Sequence, residues 1–321
     1  MSNKSEYQKF LTKTYVPIYS QPWWLDAICG AENWDVWLYK RGEDILAAMP
    51  YYFEKRGDYI YITKAPLTQN NGIIFYYEPS AKIQKKAHFE EKVINELAIW
   101  LKETGYDVYE QQYMHTFNNW QPFFWNGFKC VLRYSYLIEN TVDLDEVISN
   151  YSSNLRKNIK KGQKRCKEFV ELDAKSFYIE HEKIYSKQNL KCPFSFELWE
   201  RLYNVCKRYQ CGQALAIVNS DDRISSLAFF AWDDKYVYFL MGGSIPELSE
   251  DNTFSLMMHH GIEMASAMGK AFDFEGSMIK RVAKAMREYG GIPTPYYRIR
   301  KIFNPDIIRM EAEQEIKRLS E

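Results

Sequence analysis

The feature that most limits what this chain can become is that one plan of elements is written twice. WDVWLYK, ILAAMPYYF and YIYITKAP, within residues 34–66, are three runs rich in Tyr, Ile, Val and Phe, separated by RGED and EKRGD. GQALAIV, ISSLAFFAW and YVYFLMGG, within residues 212–243, repeat the pattern with NSDDR and DDK between them. Polar turns containing Gly or Asp between such runs predict two antiparallel meanders. A helical segment precedes each one, QPWWLDAICG in the first copy and FSFELWERLYNVCKRY in the second.

The segments after the two meanders are alike too. Phe89, Val93, Ile94, Leu97, Trp100 and Leu101 form a helical stripe with Gly105 at the C-terminal cap position. Phe254, Met257, Met258, Gly261, Ile262, Ala265 and Met268 form the second stripe, closed by Gly269. Both glycines lead into strands, DVYEQQY and AFDFEGS, then into FFWNGF and REYGGI, and finally into CVLRYSYLI and YYRIRKI. A helix between a meander and its next strand predicts a parallel crossover in a mostly antiparallel sheet. The expected fold class is α/β, with two tandem domains at 1–142 and 143–321, each a mixed sheet flanked by helices. The second domain should end in a helix over IIRMEAEQEIKRLSE, whose Ile307, Ile308, Met310 and Ile316 offer an apolar stripe to the rest of the chain.

At 321 residues the chain has room for two such domains. Its 42 basic residues are balanced by 42 acidic ones, so any anion site must come from local clustering. Six scattered cysteines without a C-x-x-C pair read as reduced thiols, neither a disulfide framework nor a zinc site. His259 and His260 are adjacent and lack the spacing of a metal pair, so no metal is expected. The polar start MSNKSEYQKF is unlike a secretory signal. No apolar run approaches the roughly 18 residues of a membrane span. The expected location is the cytoplasm.

Local clusters supply the candidate site residues. In the strand AFDFEGS, alternation puts Ala271, Asp273 and Glu275 on one face and Phe272 and Phe274 on the other. Counting from the capping glycines, the first copy has Tyr109 and Gln111 at the matching positions, so the acidic pair occurs once. Glu275-Gly276-Ser277 is also ordinary helix-start chemistry. SSNLRKNIKKGQKRCK, residues 152–167, holds seven Lys or Arg and no acid. With Ser153 as N-cap, Leu155, Ile159, Gly162 and Cys166 form the buried stripe, and Arg156, Lys160, Lys164 and Lys167 form a ridge. Such a ridge suits phosphates (a nucleotide diphosphate, a lipid pyrophosphate or a tRNA backbone) or is a solvated face. Arg298 and Lys301 in YYRIRKI either neutralise a substrate anion or are edge-strand charges. Gln69, Asn70 and Asn71 in PLTQNNG either hydrogen-bond an acceptor or form a turn.

This order of elements resembles the GCN5-related N-acyltransferase (GNAT) fold, with FFWNGF and AMREYGGI similar to its last helix and following turn. Two such domains in tandem, with SNLRKNIKK opening the second and FDFEGS near its end, resemble the FemAB/FemX-like peptidyltransferase group. The resemblance implies a transferase for the cell envelope, and peptidoglycan is the best-known setting. It would pass an acyl or aminoacyl group directly to an amine, without a covalent enzyme intermediate. The donor would be acyl-CoA or aminoacyl-tRNA, and no bound cofactor is firmly implied. The partner would be a phosphorylated cell-envelope precursor or nucleotide sugar, and no DNA. In that fold the strand end carrying Asp273 and Glu275 lies where donor and amine meet, which would make one of them a general base. An acyl-CoA N-acyltransferase of polysaccharide synthesis and an inactive binding protein of the same fold are the alternatives. The CoA-loop positions read KAPLTQNNGIIF and GGSIPELSEDNTF, and Met286 stands where the peptidyltransferases carry a lysine. The helical arm that some members insert is not apparent between residues 177 and 200.

Overall fold

Both meanders form, and each is closed by a helix that crosses over to a parallel strand. The computed structural model describes residues 2–186 and 190–320. The chain divides into two compact units, Met1–Arg133 with Pro295–Glu321, and Tyr134–Thr294.

In the first unit, α1 (Asn3–Phe10) and α2 (Pro22–Cys29) precede β1 (Trp34–Arg41), β2 (Asp44–Arg56) and β3 (Tyr59–Thr63). Pairing is antiparallel, with Trp34 opposite Tyr52 and Tyr52 opposite Thr63. The short β4 (Ile74–Phe75) adds to β2. Next comes α3 (Ile83–Glu103), which buries Val93, Ile94, Leu97, Ala98 and Leu101 against the sheet. Gly105 follows at φ +77°, a left-handed value that a Cβ resists. The chain then runs parallel to β3 as β5 (Val108–Gln112), Tyr61 opposite Val108, and turns through α4 (Gln121–Trp125).

The second unit repeats the plan. Between α5 (Leu144–Ser149) and its meander lie α6 (Ser153–Arg165), β7 (Cys166–Glu171), α7 (Ala174–Ser186) and α8 (Phe196–Arg208). The meander is β8 (Gly212–Asn219), β9 (Ile224–Trp232) and β10 (Tyr236–Ser244). After it, α9 (Thr253–Ala267) packs Met257, Gly261 and Ile262 onto the sheet. A Cβ at Gly261 would collide with the Phe230 ring, so glycine sets how closely this helix lies. Strand β11 (Ala271–Asp273) is parallel to β10, and α10 (Lys280–Glu288) follows. The opposite face of the sheet is covered by α7 and α8, with Trp199 edge-on to Phe229 at 4.9 Å. Where a helical arm was not expected, α7 and α8 are 13 residues each, and residues 187–189 lie outside the described residues.

The division differs from a boundary at 142/143. The chain enters the second unit within β6 (Lys129–Ile138) and leaves it within β12 (Ile292–Ile302). Backbone pairing is the cause. Arg298–Ile302 of β12 pair with Gln112–Val108 of β5, whereas Phe272 and Asp273 pair with Ile138 and Leu137 of β6. The first unit therefore receives its last strand from residues that follow the second unit. The C-terminal helix α11 (Pro305–Ser320) belongs there too, but of its expected stripe only Ile307 is buried; Ile308, Met310 and Ile316 are exposed.

Candidate active site in the second unit

Strand β11 stays beside β10 for three residue pairs only: Tyr236 with Ala271, Val237 with Phe272, and Tyr238 with Asp273. Beyond them β10 continues to Ser244 while β11 ends, so Asp273 stands where two parallel strands part. Phe272 and Phe274 point into the core beneath α9. Asp273 is therefore on the other face, as alternation requires.

Asp273 is buried, 5 % exposed. Its Oδ1 accepts the Ser135 hydroxyl at 2.5 Å and the Glu275 backbone N–H at 2.8 Å. Burial pushes its carboxyl up to about 6, Asp233 adds in the same direction, and the two hydrogen bonds pull the other way. Tyr236 shares this environment. Its phenol is pushed up to about 12 by burial and by the charges of Asp273, Asp233 and Glu139. Tyr238 donates to Asp233 Oδ2 at 2.8 Å, while the Asp233 carboxylate also accepts the Lys235 and Tyr236 N–H groups.

The backbone after Asp273 is specialised. Phe274 N–H reaches Tyr136 O, and then Glu275 and Gly276 adopt left-handed φ values of +63° and +67°. A Cβ at Gly276 would strike Tyr134 O and lie 2.5 Å from Ser135 Cα. This close approach holds the turn against the strand that carries Ser135. Glu275 is half-buried beside Asp273, so the pair meets through the backbone of one and the carboxylate of the other. Ser277 accepts the Ile279 N–H at 3.1 Å, one step ahead of α10.

The other expected site residues are spread over both units. Arg156, Lys160 and Lys164 lie on α6, whose Leu155 and Ile159 share the core with Phe272, so the ridge and Asp273 belong to opposite faces of the sheet. The N-cap is Ser152, which accepts the Leu155 N–H at 3.1 Å, one residue before the expected Ser153. Arg156 donates to the carbonyls of Ile148 and Ser149 at the end of α5, Lys167 pairs with Asp222, and Arg165 pairs with Asp221 and Asp251. Lys160 and Lys164 are exposed and form no ion pair among the described residues. Gly162 lets α6 approach the start of α9, where a Cβ would come 2.7 Å from Asn252 O.

Gln69, Asn70, Asn71, Arg298 and Lys301 are all in the first unit. Asn71 is buried, donating to Tyr19 O at 2.8 Å and to Ser20 Oγ at 3.3 Å, and Gln69 O accepts from Gln112. Two of the expected anion binders have other work. Lys301 Nζ donates to Asn126 O at 2.6 Å over the Phe128 ring, and burial lowers its pKa. Arg298 faces Glu110 at 3.7 Å, beside the Arg300–Glu110 pair at 2.9 Å. The counted match of Tyr109 to Asp273 also shifts: Tyr109 packs in the core under α3, and the acid on the other face is Glu110, already neutralised by arginine. Met286, at the position of the peptidyltransferase lysine, is buried in the core. Ser135 and Tyr236 carry no mark in the sequence, because they meet Asp273 from other strands, and Asp233 reads there as an ordinary turn acid.

The positions that would cradle a pyrophosphate in an acetyl-CoA enzyme carry a 3₁₀ turn, Pro246–Asp251, with Glu247, Glu250 and Asp251 ahead of α9. Gly242 serves strand packing instead, since a Cβ there would be 2.7 Å from Ala228 Cα. Among the described residues, no cluster of three or more His, Cys, Asp or Glu could hold a metal, and no helix is long and apolar enough to cross a membrane.

Residues 149–277 match the family model described as an acetyltransferase (GNAT) domain. No curated protein matches the chain. Among solved structures the chain is similar to FemX at 11 % identity and TM-score 0.69, covering 97 % of this chain and 98 % of that one. It is also similar to the C-terminal domain of a putative lysylphosphatidylglycerol synthetase from Agrobacterium fabrum, at 10 % identity, TM-score 0.53 and coverages of 97 % and 95 %. A tandem GNAT protein from the clavulanic acid biosynthesis pathway aligns at 8 % identity, TM-score 0.52 and coverages of 85 % and 83 %. The chain has a tandem GNAT fold of the FemX kind, and residues 149–277 of its second unit match the GNAT acetyltransferase domain model.

Proposed function

We propose that the protein transfers an acyl or aminoacyl group from an activated ester to an amine of a cell-envelope precursor, with Asp273 as general base. The observation that carries this reading is Asp273 itself, buried where β10 and β11 part and held through one oxygen by Ser135 and Glu275. A carboxyl raised to about 6 is still ionised at neutral pH yet is a better proton acceptor than an ordinary aspartate. In the reaction the amine nitrogen bonds to the acyl carbon and the ester C–O bond, or thioester C–S bond, breaks. The proton lost by the attacking nitrogen passes to Asp273, and the departing oxygen or sulfur takes up a proton.

The acids Glu247 and Glu250 ahead of α9 oppose a pyrophosphate held there, which favours an aminoacyl ester over acyl-CoA as donor. The likeness to FemX and to a lysylphosphatidylglycerol synthetase domain supports the same choice. On this reading the exposed Lys160 and Lys164, across the sheet from Asp273, take a phosphate far from the reacting bond, on a donor as extended as a tRNA backbone. The test is transfer of a labelled group from aminoacyl-tRNA, and separately from acyl-CoA, to nucleotide-linked and lipid-linked precursor peptides. Transfer that is lost in Asp273→Asn supports the reading. Transfer undiminished in that variant removes Asp273 from the chemistry.

A further inference from the structure

The charge on α10 is not used by the site around Asp273. The helix turns Ala283 and Met286 into the core and leaves Lys280, Arg281, Lys284 and Arg287 exposed, with Glu288 as its only acid. None of these four cations is in an ion pair among the described residues, although Arg165 has two and Lys167 and Lys207 have one each. Among the described residues Arg287 bonds only to the Ala283 carbonyl within its own helix, at 3.3 Å.

Immediately before the helix, Met278 and Ile279 are 57 % and 58 % exposed. They sit at the tip of the turn that Gly276 begins and that Ser277 fixes by accepting the Ile279 N–H. Two adjacent large apolar side chains on a fixed tip, followed by a helix with a cationic outer face, match an anionic bilayer in both respects. The cations meet lipid phosphates and the tip enters the boundary between headgroups and acyl chains. A nucleic-acid backbone would complement the cations but leave Met278 and Ile279 in water.

We propose that α10 and the Met278–Ile279 tip dock the protein on an anionic lipid surface. This inference is independent of the acyl-transfer reading, since it uses no residue of the Asp273 cluster. The test is co-sedimentation of the full chain with phosphatidylcholine vesicles, with and without phosphatidylglycerol, at low and high salt. Wild type should sediment with the anionic vesicles only, and less at high salt. Replacing Lys280, Arg281, Lys284 and Arg287 by Gln should weaken binding about fivefold per cation. Met278→Ser with Ile279→Ser should weaken it about tenfold while leaving the salt dependence in place. Lys280→Arg with Lys284→Arg should bind as wild type does. Wild type left in the supernatant with anionic vesicles at low salt overturns the proposal. So does a Gln variant that sediments normally, including one that loses only tRNA binding. Because all six side chains are exposed, unchanged circular dichroism is expected and verifies that the variants are folded.

Discussion

Ser135 donates its hydroxyl to Asp273 Oδ1 over 2.5 Å, joining residues 138 positions apart in the chain. The bond links β6 to the end of β11 and fixes the carboxylate from the side. The Glu275 N–H meets the same oxygen from the turn after the strand. Asp273 is thus held by a side chain of β6 and by the turn that follows β11, the fixing that the proposed proton acceptor would need.

Removing the charge at Asp273 should cost turnover and leave the fold intact. Asp273→Asn keeps an acceptor for Ser135 and Glu275 but cannot take a proton. A fall in kcat of about 10²–10⁴-fold is expected once a donor and acceptor are in hand. Glu275→Gln should have the smaller effect, because Glu275 meets Asp273 through its backbone N–H. A larger loss in Glu275→Gln would make Glu275 the base.

The same substitution should change stability in a pH-dependent way. The folded chain holds Asp273's proton more tightly than the unfolded chain does, since the carboxyl is raised from 3.8 to about 6. Ionisation therefore costs stability above pH 6, and the cost fades as pH falls through 6 toward 3.8. Its full size is on the order of 3 kcal/mol. Asp273→Asn should raise Tm relative to wild type at about pH 8 and lose most of that advantage at about pH 4. A Tm difference that does not vary between the two would contradict the shift.

Ser135→Ala tests the positioning role. The hydroxyl bond favours the ionised carboxylate, so its loss should push Asp273's carboxyl further up. The acid limb of the kcat/KM profile should move to higher pH, and Ser135→Thr should restore part of the shift. A merely structural hydroxyl would lower Tm without moving the limb.

Gly276 and Gly269 have nearly the same backbone angle, φ +67° and +64°, but different surroundings. Gly269→Ala meets nothing within 4 Å and should cost about 1 kcal/mol, the left-handed penalty alone. Gly276→Ala adds a collision with the backbone of Tyr134 and Ser135 and should cost at least about 2 kcal/mol more. Chemical denaturation of both variants gives the comparison, and equal losses would rule out the close approach.

On α6, Lys160→Ala with Lys164→Ala is a cleaner probe than a variant including Arg156, which caps the carbonyls of α5. Affinity for a phosphorylated donor or acceptor should fall, and raising salt should produce the same loss in wild type. Unchanged binding at low salt would mark the ridge as a solvated face.

Much of this organisation could be read from the residues. Alternating apolar runs marked both meanders, and Gly105 and Gly269 marked where α3 and α9 stop, each with the positive φ that glycine permits. Asp273 could be singled out because an acid in an apolar strand is locally conspicuous. Its partner Ser135 could not, because a serine in CVLRYSYLI gains its meaning only when β6 lies beside β11. The offset between Tyr109 and Asp273 is the usual penalty of counting along a strand, where one residue of slip exchanges the two faces. Lys301 reads from sequence as an anion binder or an edge-strand charge, because a carbonyl acceptor such as that of Asn126 leaves no trace there.

The placement of β12 has a consequence for how the protein is made. The strand that pairs with β5 leaves the ribosome only after all of residues 134–294 have been synthesised. The first unit therefore cannot finish folding in order of synthesis, whereas the second can close as soon as its own residues have emerged. Until β12 arrives, the pairing groups of β5 that it will occupy are open to other strands. The long wait between these two segments makes the nascent first half the stage at which chaperones have the most to protect.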